Sequence, residues 1–267
     1  MPPLSIATWN INSVRLRIDL LLRMAEELRP DIICLQETKV PDDLFPRDAL
    51  VAAGYPHIAV HGMKSYNGVA VLSRRPIETV AMPQWCGKSD CRHLVVGVAG
   101  IEVHNLYVPA GGDIPYPEAN DRFAHKLQFL DELAAWYGSA DKPAGRPMVL
   151  VGDLNVAPLE QDVWSHKQML KVISHTPVEV EKLLRVQQSL DWVDTMRVFV
   201  PPDQKLYTWW SYRAKDWAGS NRGRRLDHIW CTPDLRHRLR SVTVLQEARG
   251  WAPPSDHVPV MAEFEID

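Results

Sequence analysis

At 267 residues, 46% of them hydrophobic, the chain can bury a substantial core, and its net charge of −3 does not mark it as a general polyanion binder. No apolar run reaches the roughly 18 residues of a membrane span, so no membrane partner is expected. The cysteines Cys34, Cys86, Cys91 and Cys231 include no CxxC pair, which argues against a zinc or disulfide scaffold and leaves a reduced, cytoplasmic protein as the expectation.

The run Leu4–Thr8 reads as a strand and begins at once, without a visible secretory signal. Ile18, Leu21, Leu22, Ala25 and Leu28 follow at helical spacing, with Pro30 ending that helix. Asp31–Leu35, Gly68–Ser73 and Leu94–Val98 read as strands, the last pairing with Ile101–Tyr107 across Ala99-Gly100. A helix starts near Asn120, a suitable N-cap, and buries Phe123, Leu127, Leu130 and Leu133. After the turn-prone Lys142–Pro147 comes strand Met148–Val151; residues 158 to 195 read as helices with loops, and Val242–Leu245 and Val258–Phe264 as closing strands. Many strands with few helices between them predict an α/β fold of two packed mixed sheets flanked by helices. No linker or low-complexity stretch divides the chain, so residues 1–267 read as a single domain, expected to be a monomer.

Four polar clusters adjoin the apolar runs: Trp9-Asn10, Gln36-Glu37, Gly152-Asp153-Leu154-Asn155 and Ser255-Asp256-His257. Polar side chains at the ends of buried strands gather on one rim of a sheet. Together they offer oxygen donors for a divalent cation, an imidazole and separate carboxylates, the inventory of metal-assisted phosphoryl chemistry. A second feature lies between Ser211 and Arg240, where eight Lys/Arg residues stand against three Asp, a net +5. With Trp209, Trp210, Tyr212, Trp217 and Trp230 in or beside it, the segment has the composition of a surface that grips phosphates and stacks bases, or of a solvated basic loop beside buried tryptophans.

Taken in order, LSIATWNINSVR from Leu4, IICLQET from Ile32, GVAVLS from Gly68, NLYVP from Asn105, VLVGDLNVAP from Val149, RRLD from Arg224 and SDHVP from Ser255 resemble the motifs of the exonuclease III family of abasic-site endonucleases. That family belongs to the endonuclease/exonuclease/phosphatase superfamily. The resemblance spans the chain and implies a DNase I-like, four-layer αββα sandwich. It implies a Mg²⁺-dependent repair nuclease (Mn²⁺ being the alternative ion) acting on double-stranded DNA. The expected reactions are cutting 5′ to abasic sites and removing nucleotides or blocking groups from 3′ ends. A superfamily phosphodiesterase with another substrate, and a catalytically weak DNA-binding relative, are the alternatives.

Glu37, a strand-end carboxylate, is the best candidate ligand and Asn10 supplies a neutral oxygen beside it; by resemblance both belong to the Mg²⁺ site, with Asp153, Asn155, Asp256 and His257 as further candidates. Asp153 and Asn155, two apart, share a face in extended chain, where a base for water and a donor to phosphate fit; an Asx turn alone would also account for the pattern. The family assigns the matching Asp to proton transfer and the matching Asn to transition-state stabilisation. It places the carboxylate matching Asp256 behind the His matching His257, and the one matching Asp227 close by. Tyr107 is either a wet strand-end phenol or, as in the family, catalytic. Asn12, Arg15 and Arg222 are expected to contact the DNA backbone. Trp209 and Leu226 match the family's apolar pocket for a base-free sugar, but Arg224 stands where an apolar residue is usual, and Ala110 where a longer polar side chain is common.

Overall fold

The computed structural model describes residues 3–139 and 146–266. In chain order the elements are β1 Leu4–Asn10, α1 Ile18–Leu28, β2 Ile32–Gln36, α2 Arg47–Ala52, β3 His57–His61, β4 Val69–Ser73, β5 Thr79–Ala81, β6 His93–Val98, β7 Ile101–Tyr107 and α3 Asp121–Tyr137. There follow β8 Met148–Asp153, α4 His166–Met169, α5 Pro177–Gln188, β9 Val193–Asp194, α6 Thr195–Phe199, β10 Trp209–Trp210, α7 Trp217–Ser220, β11 Gly223–Arg224, β12 Asp227–Cys231, β13 Leu239–Val244 and β14 Val260–Phe264. One six-stranded sheet has the order β13-β14-β1-β2-β4-β3, the other β5-β6-β7-β8-β12-β9. Each is mixed, with a single parallel pair, β1 with β2 and β7 with β8.

The long strands have both faces covered, which is why they read as continuous apolar runs rather than alternating ones. Side chains still alternate between two destinations. Ile32 and Cys34 join Val149 and Val151 in the core between the sheets, whereas Ile33 and Leu35 pack under α1 against Leu21 and Met24. On the far side Leu150 packs under α3 and α5 with Leu130, Leu133 and Leu183. The four layers are therefore helix, sheet, sheet, helix, as the motifs imply. Gly152 permits the tightest approach: its φ is +138° and a Cβ there would lie 1.9 Å from the Leu106 carbonyl oxygen.

Asn120 caps α3 as expected, accepting from the Arg122 N–H. The turn at Lys142–Pro147 lies, up to Gly145, outside the described residues. Strand β3 and the short strands β9, β10 and β11 had no clear period-2 signal, being two to five residues long or flanked by histidines. The basic segment is corrected. Strand β12 crosses its middle, and five residues at about 3.3 Å each put Arg236, Arg238 and Arg240 at the opposite end of the strand from Asp227. Arg225 is fully buried, paired with Asp162 and Asp194. Of the segment's cations, only Arg213, Lys215 and Arg222 remain exposed on the near side of β12.

Candidate active site

Strand register brings the clusters together. Parallel pairing ends β1 and β2 at the same level, Asn10 opposite Gln36, and ends β7 and β8 likewise, Tyr107 opposite Asp153. Antiparallel β12 begins there, Asp227 opposite Asp153. Glu37 follows β2 in a left-handed conformation, φ +52°, held there because its carbonyl accepts from the Ser13 N–H at 2.7 Å and Thr38 N–H donates to the Gly68 carbonyl at 3.1 Å. Gln36, by contrast, turns between the sheets and donates to Thr8 Oγ1 at 2.9 Å and Asn105 Oδ1 at 2.7 Å, so it braces the floor rather than facing the rim.

The side-chain nitrogen of Asn10 bridges two carboxylates, donating to Glu37 Oε1 and Asp153 Oδ2, each at 2.9 Å. Its Oδ1 accepts from the Asn12 N–H at 3.2 Å, so the amide presents oxygen to a cation only if it turns over. Tyr107 donates its phenol to Glu37 Oε1 at 2.8 Å. Burial, then the charges of Glu37 and Asp153, push that phenol well above its ordinary pKa, so it stays protonated and acts as a donor. Lys39 was not anticipated. It pairs with Glu37 Oε2 at 2.8 Å and donates to Asn12 Oδ1 at 2.6 Å. Burial raises the Glu37 carboxyl, but Lys39 and the hydrogen bonds from Asn10 and Tyr107 outweigh it, and the group is held below the usual carboxylate range. The signal for Lys39 was its place two residues after Glu37, immediately past the IICLQET motif.

Beside this lies a second constellation, in which Asp153, Asp227 and His257 have ligand atoms within 4.8 Å of one another. His257 Nδ1 meets Asp227 Oδ2 at 2.8 Å, and Nε2 lies 3.6 Å from Asp153 Oδ2. The carboxylate behind the imidazole is therefore Asp227, not Asp256 as the family pattern led us to expect. Asp256 sits at a bend and accepts instead from Trp209 Nε1 at 2.9 Å and Asn12 Nδ2 at 3.4 Å. Burial opposes charge on His257, but Asp227 and Asp153 dominate and lift its pKa from 6.5 to about 10. Asp153 is pushed up to about 7, first by burial and also by Asp227 and Glu37, against the pull of His257 and Asn10. Thr208, another residue not anticipated, donates to Asp227 Oδ2 at 2.6 Å and fixes it.

Asn155 is left-handed, φ +54°, so it meets Asp153 through an Asx turn rather than through strand alternation: its N–H donates to Asp153 Oδ1 at 2.9 Å. Its side-chain amide donates to Asp153 Oδ2 at 3.1 Å and to the Val108 carbonyl at 2.9 Å. With both amide hydrogens committed, Asn155 holds the carboxylate, and it reaches a phosphate only by giving one bond up. Buried Lys126, ion-paired with Glu179, supports this turn by donating to the Asn155 carbonyl at 2.8 Å. Nothing in the local sequence announces that pair, whose members are 53 residues apart.

A cavity of about 220 Å³ opens beside these groups, lined by Asp153, Asn155, Trp209, Arg224, Leu226 and His257 among others. Leu226 is buried against Ala157, Val163 and Met169, and half-buried Trp209 packs on that cluster. Of the other expected DNA contacts, Asn12 is half-buried beneath Tyr212, Arg15 is exposed, and Arg222 is exposed with its guanidinium 4.7 Å from the Trp164 ring centre.

The carboxylate oxygens of Glu37 and Asp153 suit a hard divalent cation, with Glu37 held ionised, and Asn10 would add an amide oxygen on turning over. Asp227 Oδ1 is buried with no hydrogen-bond partner, one carboxylate oxygen of the site left over. Residues 7–257 match the endonuclease/exonuclease/phosphatase family. The chain is 29% identical to exodeoxyribonuclease III of Haemophilus influenzae, over 97% of this chain and 98% of that one. It superposes on an AP endonuclease from Archaeoglobus fulgidus with a TM-score of 0.91 at 32% identity, covering 98% and 100% of the two chains. A 3′ phosphatase, NExo, from Neisseria, bound to product DNA hairpin, gives 0.90 at 31% identity with 98% and 100% covered.

Proposed function

The chain belongs to the endonuclease/exonuclease/phosphatase family, in its exonuclease III and AP endonuclease group of DNA repair nucleases, and from that premise we propose that it hydrolyses phosphodiesters of duplex DNA 5′ to abasic sites and at 3′ ends, with Mg²⁺, or Mn²⁺ in its place, as a monomer. The observation that carries this reading is the buried Asp153–His257–Asp227 constellation next to the Glu37 carboxylate, with Glu37, Asp153 and His257 all lining one cavity that has an aromatic wall. Glu37, with Asp153 and Asn10, is the set that would hold the cation, whose chemistry when bound is to neutralise charge on the phosphate.

The remaining steps belong to the chain's own side chains. Asp153, held by Asn10 and Asn155 with its Oδ2 3.6 Å from His257 Nε2, is the carboxylate placed to take a proton from the attacking water. His257, charged because two carboxylates flank it, donates a hydrogen bond to a phosphate oxygen, and Asp227 keeps its ring oriented. Tyr107 and Lys39 fix Glu37 from either side, and Asn155 fixes Asp153. The water oxygen joins phosphorus, the bond to O3′ breaks, and a 3′-hydroxyl is left.

The test is to incubate the protein with abasic duplex, with intact duplex bearing recessed 3′ ends, and with a simple phosphodiester, each with Mg²⁺ or with chelator. Cleavage of the first two that stops on chelation is the expected result. Cleavage of the simple diester alone, or cleavage indifferent to chelator, would overturn the proposal.

A further inference from the structure

Two histidines away from the carboxylates of the candidate active site face each other. His166 opens α4, and His175 lies at the bend before α5, next to Ile173 and Ser174 of the cavity wall. His166 Nδ1 is 2.8 Å from His175 Nε2, with the two rings at 80° to each other. The outer nitrogen of each ring meets an oxygen. His175 Nδ1 is 2.6 Å from the Ala157 carbonyl, which only accepts, so Nδ1 carries the hydrogen and Nε2 of the neutral ring is a lone pair. On the other ring, His166 Nε2 stands 3.6 Å from Glu160 Oε1. Burial, opposed by the Ala157 carbonyl and reinforced by His166, holds the His175 pKa below its usual value and keeps this ring neutral. A single hydrogen therefore lies between the two rings, and it belongs to His166 Nδ1.

Histidines that bind a metal have their far nitrogen fixed by a carbonyl or a carboxylate, which sets the tautomer and raises the basicity of the near one. Both rings have that support here. Bonds of about 2.0–2.1 Å from one ion to two imidazoles put the nitrogens about 2.9 Å apart at a right angle and about 3.3 Å at the tetrahedral angle, so the 2.8 Å separation needs to open by at most about 0.5 Å. His175 is buried and held by Ala157, so His166 makes this movement; its side chain is 38% exposed, which also gives an ion access. Imidazole pairs suit Zn²⁺, Ni²⁺ and Cu²⁺, whereas Mg²⁺ takes oxygen.

We propose that His166 and His175 form a second metal site, separate from the carboxylates at Glu37, for a first-row ion of the Zn²⁺, Ni²⁺ and Cu²⁺ class. The hydrogen of His166 moves from Nδ1 to Nε2, where Glu160 accepts it. Both inner lone pairs then go to the ion, and water fills its remaining positions. An ion bound there ties α4 to the wall of the catalytic cavity, because adjacent Ser174 accepts from Arg224 at 3.0 Å and, through its carbonyl, from the Ala157 N–H at 2.7 Å.

The test is Zn²⁺ binding to the full chain in saturating Mg²⁺, read by competition with a chromophoric chelator. One Zn²⁺ per chain should bind to the wild-type protein. His166→Gln, at a partly exposed position, should weaken it by about tenfold or more, since even loss of a far-nitrogen partner costs about that much. His175→Gln should lose as much, and Glu160→Gln less. A wild-type protein that binds no Zn²⁺ in saturating Mg²⁺ overturns the proposal. So does an affinity in His166→Gln within about twofold of wild type, even if His175→Gln fails to fold. Zinc that survives His166→Gln but is lost in Glu37→Gln sits among the carboxylates instead, and overturns it equally.

Discussion

Asp153→Asn separates the chemistry of this site from its architecture. Three donors converge on the carboxylate: Asn10 Nδ2 and Asn155 Nδ2 on Oδ2, and the Asn155 N–H on Oδ1. Asparagine can place its oxygen at the Oδ2 position and serve two of them, which sets its NH₂ against the Asn155 N–H. One buried unsatisfied donor costs about 1–3 kcal/mol. At about 2–4 °C per kcal/mol for a domain near this size, Tm should fall by roughly 2–12 °C. Relief of the burial cost and of the repulsion from Asp227 and Glu37 returns part of that, while the attraction of His257 is lost. The rate loss is of another kind. Removing a general base costs about 100-fold or more, at least about 2.7 kcal/mol on the barrier. Single-turnover cleavage of a fluorescent abasic duplex, with thermal unfolding of the same preparation, measures both. A folded variant that cuts within about tenfold of wild type would refute the assignment of Asp153 as base. So would a largely unfolded variant whose folded fraction cuts at full rate.

Three further outcomes are expected. Glu37→Gln keeps an acceptor for Asn10 and Tyr107 but loses the charge, so cleavage at limiting Mg²⁺ should fall by about tenfold or more, and the Mg²⁺ concentration giving half-maximal rate should rise; an unchanged Mg²⁺ dependence would remove Glu37 from the ligand set. Trp209→Ala should weaken binding of abasic duplex more than intact duplex, by about 1–3 kcal/mol, whereas exposed Arg222→Ala should weaken both alike and lower the salt slope by about one; equal losses for Trp209→Ala would make that tryptophan purely structural. His228 is buried and neutral, with Nε2 donating to the Val156 carbonyl at 2.9 Å and Nδ1 accepting from Arg225 at 3.2 Å; burial and Arg225 lower its pKa from 6.5 to about 4. Its folded pKa is depressed, so its stabilisation is fully present above pH 6.5 and is lost as pH falls from there through about 4, up to about 3 kcal/mol. His228→Gln, which keeps a donor and an acceptor, should therefore show a smaller drop in urea midpoint over that window, and an equal drop would contradict the linkage.

The strands of both sheets were legible because their apolar runs are long and their ends polar, and so Asn10, Glu37, Tyr107 and Asp153 were placed on one rim before any tertiary contact was known. Sequence determines this much because strand periodicity and end chemistry are local properties. What stood behind His257 was not local. Asp227 is 30 residues away and reaches the imidazole only because β12 pairs with β8, while adjacent Asp256, at a bend, is taken up by Trp209 and Asn12. The basic segment failed for the same reason: counting charges along the chain cannot tell Arg225, cancelled by Asp162 from 63 positions earlier, from Arg222 on the surface. Nor can it tell either from Arg224, half-buried beside the site with no carboxylate paired to it among the described residues. Local sequence sets which charges and strands exist, and packing over long separations decides which charges are neutralised, because burial and pairing depend on distances in space rather than along the chain.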